Sequence, residues 1–210
     1  MRKFYDVQQN TDAWQALRLG KATCSMFGCF MANYGKAFGE PAQREALRIA
    51  LERLTEKKSE FSFSNDHMER GHEQEHVAKM LYAEETYSDL TNGGFFECGQ
   101  YGDSPDALAG SDGVIEVKSV IAPTHYATIR RGSYDPAYKW QLVGHLDCTG
   151  RQWVDFVSYC SDFPEGSQLS IHRLHRWECE DELRMLDERR AEFLLLIVST
   201  MNNINLKATT

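Results

Sequence analysis

The sequence predicts an α/β (α+β) domain in which a mixed central β-sheet is flanked by helices. Three observations point that way. The N-terminal part carries helical spacing, the middle switches to short alternating segments divided by turn-rich sequence, and the end returns to a long helical pattern. Helices first, then a mostly antiparallel sheet flanked by helices, is the order of a layered α+β sandwich. No repeat, low-complexity stretch or linker interrupts the 210 residues, so residues 1–210 are expected to form a single domain.

Thr11 followed by Asp12 and Ala13-Trp14-Gln15-Ala16-Leu17 reads as a capped short helix ended by Gly20. Thr23 or Ser25 is a candidate cap for a second helix through Met26, Phe27 and Met31. Pro41 opens a stronger helix, with Ala46, Leu47, Ala50, Leu51 and Leu54 at helical spacing to about Thr55. Polar sequence from Lys57 to Asp66 reads as a loop that could help part a duplex. The next helix runs from Asp66 to Ala83, with Val77, Met80 and Leu81 expected on its buried side. Strands are expected at Gly94–Cys98, Asp106–Gly110, Val114–Val120, Trp153–Tyr159 and Leu169–Leu174, and a closing helix from Glu180 to Met201.

Composition narrows the function classes. No run of about eighteen apolar residues exists to span a membrane. The N-terminus lacks the apolar core of a signal peptide, so a cytoplasmic protein is expected. Six scattered cysteines without a CxxC pair read as reduced, mostly buried thiols. The net charge of −8 counts mildly against a nucleic-acid partner. Acidic residues committed to metal ions, or lying on a remote face, weaken that objection.

The chemistry concentrates in one hairpin. Ser104-Pro105-Asp106 leads into Ala107-Leu108-Ala109-Gly110, then Ser111-Asp112-Gly113, then Val114-Ile115-Glu116-Val117-Lys118. Strand alternation places Glu116 and Lys118 on one face while Ile115 and Val117 point into the core. A three-residue turn with Gly113 left-handed would pair Gly110 with Val114. Asp106 would then stand opposite Lys118 and diagonal to Glu116, on their face. A two-residue turn would move it to the other face and break the site. Two carboxylates meeting there are hard oxygen ligands for Mg²⁺ or Mn²⁺. A lysine beside them can orient or deprotonate a water and stabilise charge on a phosphorane, which is what phosphodiester hydrolysis requires.

Ser104-Pro105-Asp106 with Glu116-Val117-Lys118 resembles the motif of the PD-(D/E)xK nuclease superfamily, whose core is restriction-endonuclease-like. More narrowly, the chain resembles the phage lambda exonuclease and YqaJ-type viral recombinase family. Trp14-x-x-x-Arg18-Leu19-Gly20, then Thr23-Cys24-Ser25 with Cys24 in an alanine slot, match its opening elements. Gly71 to Glu75 matches its G-x-x-x-E helix. Tyr138 and Gln141, then Thr149 and the strand to Tyr159, match its Y-x-x-Q helix and following strand.

The resemblance implies a 5′→3′ exodeoxyribonuclease that digests one strand of linear duplex DNA and leaves a 3′ single strand for recombination. Asp106, Glu116, the Val117 carbonyl and Glu75 would hold Mg²⁺, with Mn²⁺ able to substitute, and Lys118 would be the catalytic lysine. Arg18, Ser25, Ser104 and Gln141, with Trp14 nearby, would bind the 5′-phosphate and DNA; a guanidinium fork suits phosphate. A ring-shaped homotrimer around DNA ends and a single-strand annealing protein as partner are also implied by the resemblance alone.

Each residue has a duller explanation. Glu75 stands one turn before Lys79 and suits a surface ion pair. Trp14 suits the core, Ser25 a helix cap, and Arg18 and Gln141 ordinary helix positions. His125, Arg130 and Arg131 form a basic segment that is either a DNA-backbone contact or a solvated loop. His72-Glu73-Gln74-Glu75-His76 also fits the zinc-protease pattern H-E-x-x-H, with Glu97 as a distant third ligand. The charge at Glu75, the lack of a secretion signal and the unexplained hairpin count against that reading. A structure-specific endonuclease of the same fold is a further alternative. An iron–sulfur nuclease is disfavoured by the wide spacing of Cys148, Cys160 and Cys179. A non-catalytic end-binding module is disfavoured by the presence of Asp106, Glu116 and Lys118 together.

Overall fold

The computed structural model describes residues 2–59 and 66–208, with the side chains of residues 66–73, 207 and 208 outside that description. The helices are α1 (Asp12–Arg18), α2 (Phe27–Met31), α3 (Glu40–Thr55), α4 (Asp66–Thr86), α5 (Ala122–Arg131), α6 (Lys139–Thr149) and α7 (Glu180–Ala208). The strands are β1 (Lys3–Tyr5), β2 (Ala22–Thr23), β3 (Leu90–Asn92), β4 (Phe95–Glu97), β5 (Tyr101–Asp103), β6 (Ala107–Ala109), β7 (Gly113–Ser119), β8 (Trp153–Tyr159) and β9 (Leu169–His175).

The main sheet has the order β3-β6-β7-β8-β9; β7 and β8 are parallel and every other neighbouring pair is antiparallel. The parallel pair needs a long crossover, which α5 and α6 supply between the two strands. A smaller sheet, β1-β4-β5-β2, leads into the S-P-D segment. Its strands span two or three residues, too short to show alternation, and only β4 was expected from the sequence.

Period-2 alternation divides the main sheet into two cores. Val114, Val154, Phe156 and Leu174 join Phe27, Phe30, Ile49, Leu142, Leu146, Phe193 and Ile197 from α2, α3, α6 and α7. On the other face Ile115, Val117, Val157 and Tyr159 pack with Ala107, Ala109 and the α4 residues Ala78 and Tyr82. The result is a mixed sheet between helical layers, as the fold class required.

Several local expectations need correction. The hairpin pairs Ala109 with Gly113, so the turn residues are Gly110, Ser111 and Asp112 and the left-handed one is Gly110 (φ 53°). Gly113 is glycine for another reason. A Cβ there would meet the Trp153 ring at 2.1 Å. Arg151 Nη1 donates to the carbonyls of both Gly110 and Gly113 at 2.8 Å and clamps the turn. The register is displaced by two residues, which preserves the face: continuing it places Asp106 across from Glu116 rather than Lys118.

On α4, Val77 and Met80 are exposed and Leu81 is partly buried, while Ala78 and Tyr82 face the sheet. Tyr82 Oη donates to Asp155 Oδ2 at 2.6 Å, and Arg173 grips the same carboxylate at 2.8 Å through two nitrogens. That polar anchor rotates the helix away from the face its largest aliphatic residues suggest. On α3, Leu47 is exposed and Ile49 is fully buried. The segment holding His125, Arg130 and Arg131 is helix α5. His125 is a core histidine there, bonded to Ser158 Oγ at 2.8 Å and the Ser167 carbonyl at 3.1 Å. Neither Thr23 nor Ser25 caps a helix through its side chain. Most of the loop between Lys57 and Asp66 lies outside the described residues. The cysteines are all free, four of them buried. No helix among the described residues is long and apolar enough to cross a membrane.

Gly113→Ala should force the Trp153 ring aside and lower stability by about 1–3 kcal/mol. Urea denaturation reads this directly, and an unchanged midpoint would show that the ring gives way freely.

Candidate active site

The site forms where the small sheet hands the chain to the main one. After β5, Ser104-Pro105-Asp106 passes so close to Gly93 that a Cβ on Gly93 would lie 1.7 Å from the Pro105 carbonyl oxygen. Asp106 N donates to the Ile115 carbonyl at 3.1 Å. Its carboxylate Oδ2 accepts from Val117 N at 2.7 Å, taking a donor that the strand ladder would otherwise use. Lys79 Nζ on α4 donates to Glu75 Oε1 at 2.8 Å and to the Asp106 carbonyl at 3.3 Å. Glu75 therefore makes the ion pair its spacing suggested, and that pair sits beside Asp106.

Glu116 is 2% exposed on the α6 face of β7. Its Oε1 accepts from Lys118 Nζ and from Gln141 Nε2, each at 2.5 Å. Its Oε2 lies 2.9 Å from His145 Nε2. That contact is within ion-pair distance but off the hydrogen-bond axis, so both buried atoms have no aligned partner. His145 Nδ1 meets Asp103 Oδ2 at 2.8 Å. Lys118 also stands 5.0 Å from the centre of the Tyr138 ring.

The two carboxylates are driven apart. Burial raises the pKa of Asp106, and the nearby charges of Glu116 and Glu75 raise it further, well above the usual carboxylate range. Burial also opposes ionisation of Glu116, but Lys118 and His145 outweigh it and bring Glu116 down to about 2. Burial disfavours the charged His145, yet Asp103 and Glu116 lift it to about 10. Lys118 is likewise held protonated by Glu116 and Asp106 against its burial. Without a cation Glu116 is thus the carboxylate that ionises readily and Asp106 the one that resists, and a bound cation would favour the ionised form of both.

Two carboxylates lining one cavity, Glu116 and an Asp106 under repulsion from its acidic neighbours, fit a divalent metal. Cys24, Asp103 and His145 also bring possible ligand atoms within 4.8 Å of one another. In that cluster His145 is committed to Asp103. The Cys24 thiol, pushed up by burial, donates to Cys148 Sγ at 3.5 Å and the Gly102 carbonyl at 3.7 Å. The oxygen donors suit a hard ion better.

A cavity of about 160 Å³ is lined by Asp106, Glu116, Lys118 and Gln141 together with Trp14, Arg18, Ser25 and Ser104. Of the residues that the resemblance assigned to catalysis, metal or phosphate, Glu75 and Val117 are beside this group and the rest share its wall. Trp14 Nε1 donates to Ser104 Oγ at 2.7 Å, and its ring carries the Arg18 guanidinium 4.2 Å from its centre. Arg18 Nη2 reaches Thr23 Oγ1 at 3.4 Å, and Thr23 Oγ1 lies 3.4 Å from Ser25 Oγ. Burial lowers the Arg18 pKa to about 10. A cation and hydroxyls converging in this way have the donors that an anion would need. A larger cavity of about 630 Å³ opens beyond the same Trp14, Arg18, Thr23 and Ser25 and continues to Arg48 and Lys58.

Asp103 and His145 were missed in the sequence, and Thr23 was read only as a candidate cap and a motif residue, not as a partner of Arg18. His145 had a signal: it follows Gln141 by one helical turn and therefore shares its face. The protease pattern gains nothing from the fold. His72 and Glu73 lie outside the described side chains, His76 is exposed, and Glu97 is engaged by Lys21 at 3.2 Å and Tyr5 Oη at 3.0 Å in the small sheet.

In metal-free protein at neutral pH, the lowered Glu116 stabilises the fold, an effect present above pH 4.5 and lost as pH falls towards 2. The raised Asp106 does the reverse. Thermal melts in EDTA should therefore show Asp106→Asn more stable than wild type and Glu116→Gln less stable, the latter on the order of 3 kcal/mol. Equal melting of both variants would refute this charge assignment.

Residues 13–152 match the YqaJ-like viral recombinase domain. An alkaline exonuclease from Laribacter hongkongensis (LHK-Exo) is 32% identical, with 95% of this chain and 98% of that chain covered and a TM-score of 0.83. The same enzyme in complex with dAMP aligns at 33% identity and TM-score 0.83, with the same coverage. A phage-related exonuclease from Haemophilus somnus 129PT shares the fold at 15% identity, with 88% and 96% covered and a TM-score of 0.65. No curated protein sequence matches the chain. Likeness to the Laribacter hongkongensis enzyme across nearly the whole chain, together with the family match, supports nuclease activity of the exonuclease type, and the chain belongs to the YqaJ-like viral recombinase family.

Proposed function

We propose that the protein is a Mg²⁺-dependent 5′→3′ exodeoxyribonuclease that digests one strand of linear double-stranded DNA. One observation carries this reading: the paired carboxylates with Lys118, and the Arg18–Ser25–Ser104 anion pocket, line one cavity. An enzyme that grips a terminal phosphate beside its reacting centre works from ends.

In this reading Asp106, Glu116, the Val117 carbonyl and Glu75 hold the ion, with Mn²⁺ as a substitute. Such an ion would supply Lewis-acid polarisation of the scissile phosphate and ease deprotonation of a water there. Lys118, protonated and 2.5 Å from Glu116, acts as a donor that orients the water and meets charge developing on the phosphorane. Arg18 binds the 5′-phosphate as a fork, held flat on Trp14, while Ser25, Ser104 and Gln141 add hydroxyl and amide contacts. The neighbouring cavity, reaching Arg48 and Lys58, has room for more of the strand.

The family resemblance supports extending this to a ring-shaped homotrimer, and the free, mostly buried cysteines support a reducing, cytoplasmic setting. Its product would be a 3′ single strand passed to a single-strand annealing protein. Against the net charge of −8, Arg18 and Lys118 supply positive charge on the cavity wall where the phosphate would sit.

The test is digestion of linear duplex DNA, 5′-phosphorylated and labelled separately on each strand, with Mg²⁺ or EDTA and with a covalently closed circle alongside. One strand should disappear from its 5′ end only with Mg²⁺, and the circle should survive. Cleavage of the circle would point instead to an endonuclease of the same fold. Lys118→Ala should reduce cleavage by at least ~100-fold, the scale of losing one transition-state donor, with metal binding largely kept. Arg18→Ala should remove the preference for 5′-phosphate over 5′-hydroxyl ends, and a retained preference would refute the pocket.

A further inference from the structure

The Asp103–His145 pair has no part in the steps above, yet its side chains are only 2% and 1% exposed. It sits directly behind Glu116, whose two oxygens face different surroundings. Oε1 is shared by Lys118 and Gln141 on the cavity side. Oε2 faces His145 Nε2 at 2.9 Å, deep against α6, and both atoms have no aligned hydrogen bond. The imidazole itself is tethered from behind, with Nδ1 2.8 Å from Asp103 Oδ2. The helix that carries it is seated tightly: a Cβ on Gly144 would meet Phe27 at 2.8 Å and Cys24 Sγ at 2.9 Å.

We propose that His145, oriented by Asp103, is a positioning residue that holds Glu116 by Oε2, leaving Oε1 as the oxygen offered to the divalent ion. This rests on the metal-nuclease reading above. A glutamate is a flexible ligand, and fixing one of its oxygens removes part of the ordering that binding otherwise requires. Partners one bond behind a ligand commonly tune metal affinity by ~10–100-fold. Here the partner is a rigid ring between two carboxylates. A modest turn of the Glu116 carboxylate would align the Nε2–Oε2 contact, which gives this misaligned buried pair a purpose.

Two amide replacements separate the ring's two contacts. In His145→Asn the amide stands near the place of Nδ1, keeping Asp103 and losing Glu116. In His145→Gln it stands near Nε2, keeping Glu116 and losing Asp103. Mn²⁺ binding to the full-length chain is measured by calorimetry, with melting in EDTA and kcat and KM on duplex DNA beside it. His145→Asn should weaken Mn²⁺ binding by at least ~10-fold and lower kcat at limiting metal, with KM for DNA unchanged. His145→Gln, which loses only the tether, should lose affinity by a clearly smaller factor than His145→Asn. Equal Mn²⁺ affinity in the two variants, or losses that merely follow their melting temperatures, would overturn the inference.

Should His145→Asn fail to fold, Asp103→Asn serves instead. It should weaken Mn²⁺ binding in the wild-type background and have no further effect on His145→Gln; an additive loss overturns the proposal. Wild-type protein that cleaves in EDTA and binds no Mn²⁺ would overturn the metal reading itself. Wild type that binds Mn²⁺ as tightly as His145→Asn removes only the positioning role.

Discussion

A negative charge buried in the middle of the protein is the constraint that the rest of the structure serves. Glu116 sits in a strand whose neighbours are almost entirely covered, where an isolated carboxylate would be very costly. Lys118 two residues along, Gln141 and His145 from α6, and Asp103 behind the imidazole form a continuous polar path through the core. Buried charges of this kind are tolerated when paired and hydrogen-bonded, and they add little stability compared with an apolar core. Their presence here fits the proposed site, where a bound cation would meet that charge.

Asp106 is the counterpart. It faces the same centre with fewer compensating partners, and its neighbours Glu116 and Glu75 repel it. The two carboxylates therefore differ: Glu116 keeps its charge readily and Asp106 resists ionisation, as a metal-free form of the proposed site would. The anion pocket complements them with the opposite charge. Arg18 is held by an aromatic face and hydroxyls, contacts that leave its charge available to a phosphate. Trp14 joins the halves, since its indole N–H fixes Ser104, two residues from Asp106, while its ring supports Arg18.

Much of this was legible in the sequence because strand alternation is strict. Glu116 and Lys118 share a face whatever the turn does, and the displaced hairpin register moved Asp106 by two positions without changing its face. The turn itself was misread because two glycines competed for the left-handed position. Gly113 was needed under the Trp153 ring, a contact from a strand far along the chain. The buried face of α4 was misread for a related reason: Tyr82 is anchored by Asp155 and Arg173, which a pattern of aliphatic residues does not report. That rotation also turns Glu75 towards Asp106. Strands of two or three residues carry too little periodicity to see, and His145 and Asp103 matter only because the fold brings them 2.8 Å apart across 42 positions.

Helix α6 joins two jobs that are usually separate. It completes the crossover that makes β7 and β8 parallel, and it delivers Gln141 and His145 to Glu116. Variation on either side of it then has unequal consequences in evolution. The lead-in before Tyr138, where Gly132, Pro136 and Ala137 are exposed, can lengthen or shorten while the connection adjusts. A single deletion between Gln141 and His145 would swing the imidazole by about 100° around the helix axis. It would also carry Leu142, Val143 and Leu146 out of register with the core. Lineages of this chain should accordingly differ freely in the lead-in to α6 while keeping the Gln141–His145 interval fixed, so that indel placement becomes a record of which contacts selection has guarded.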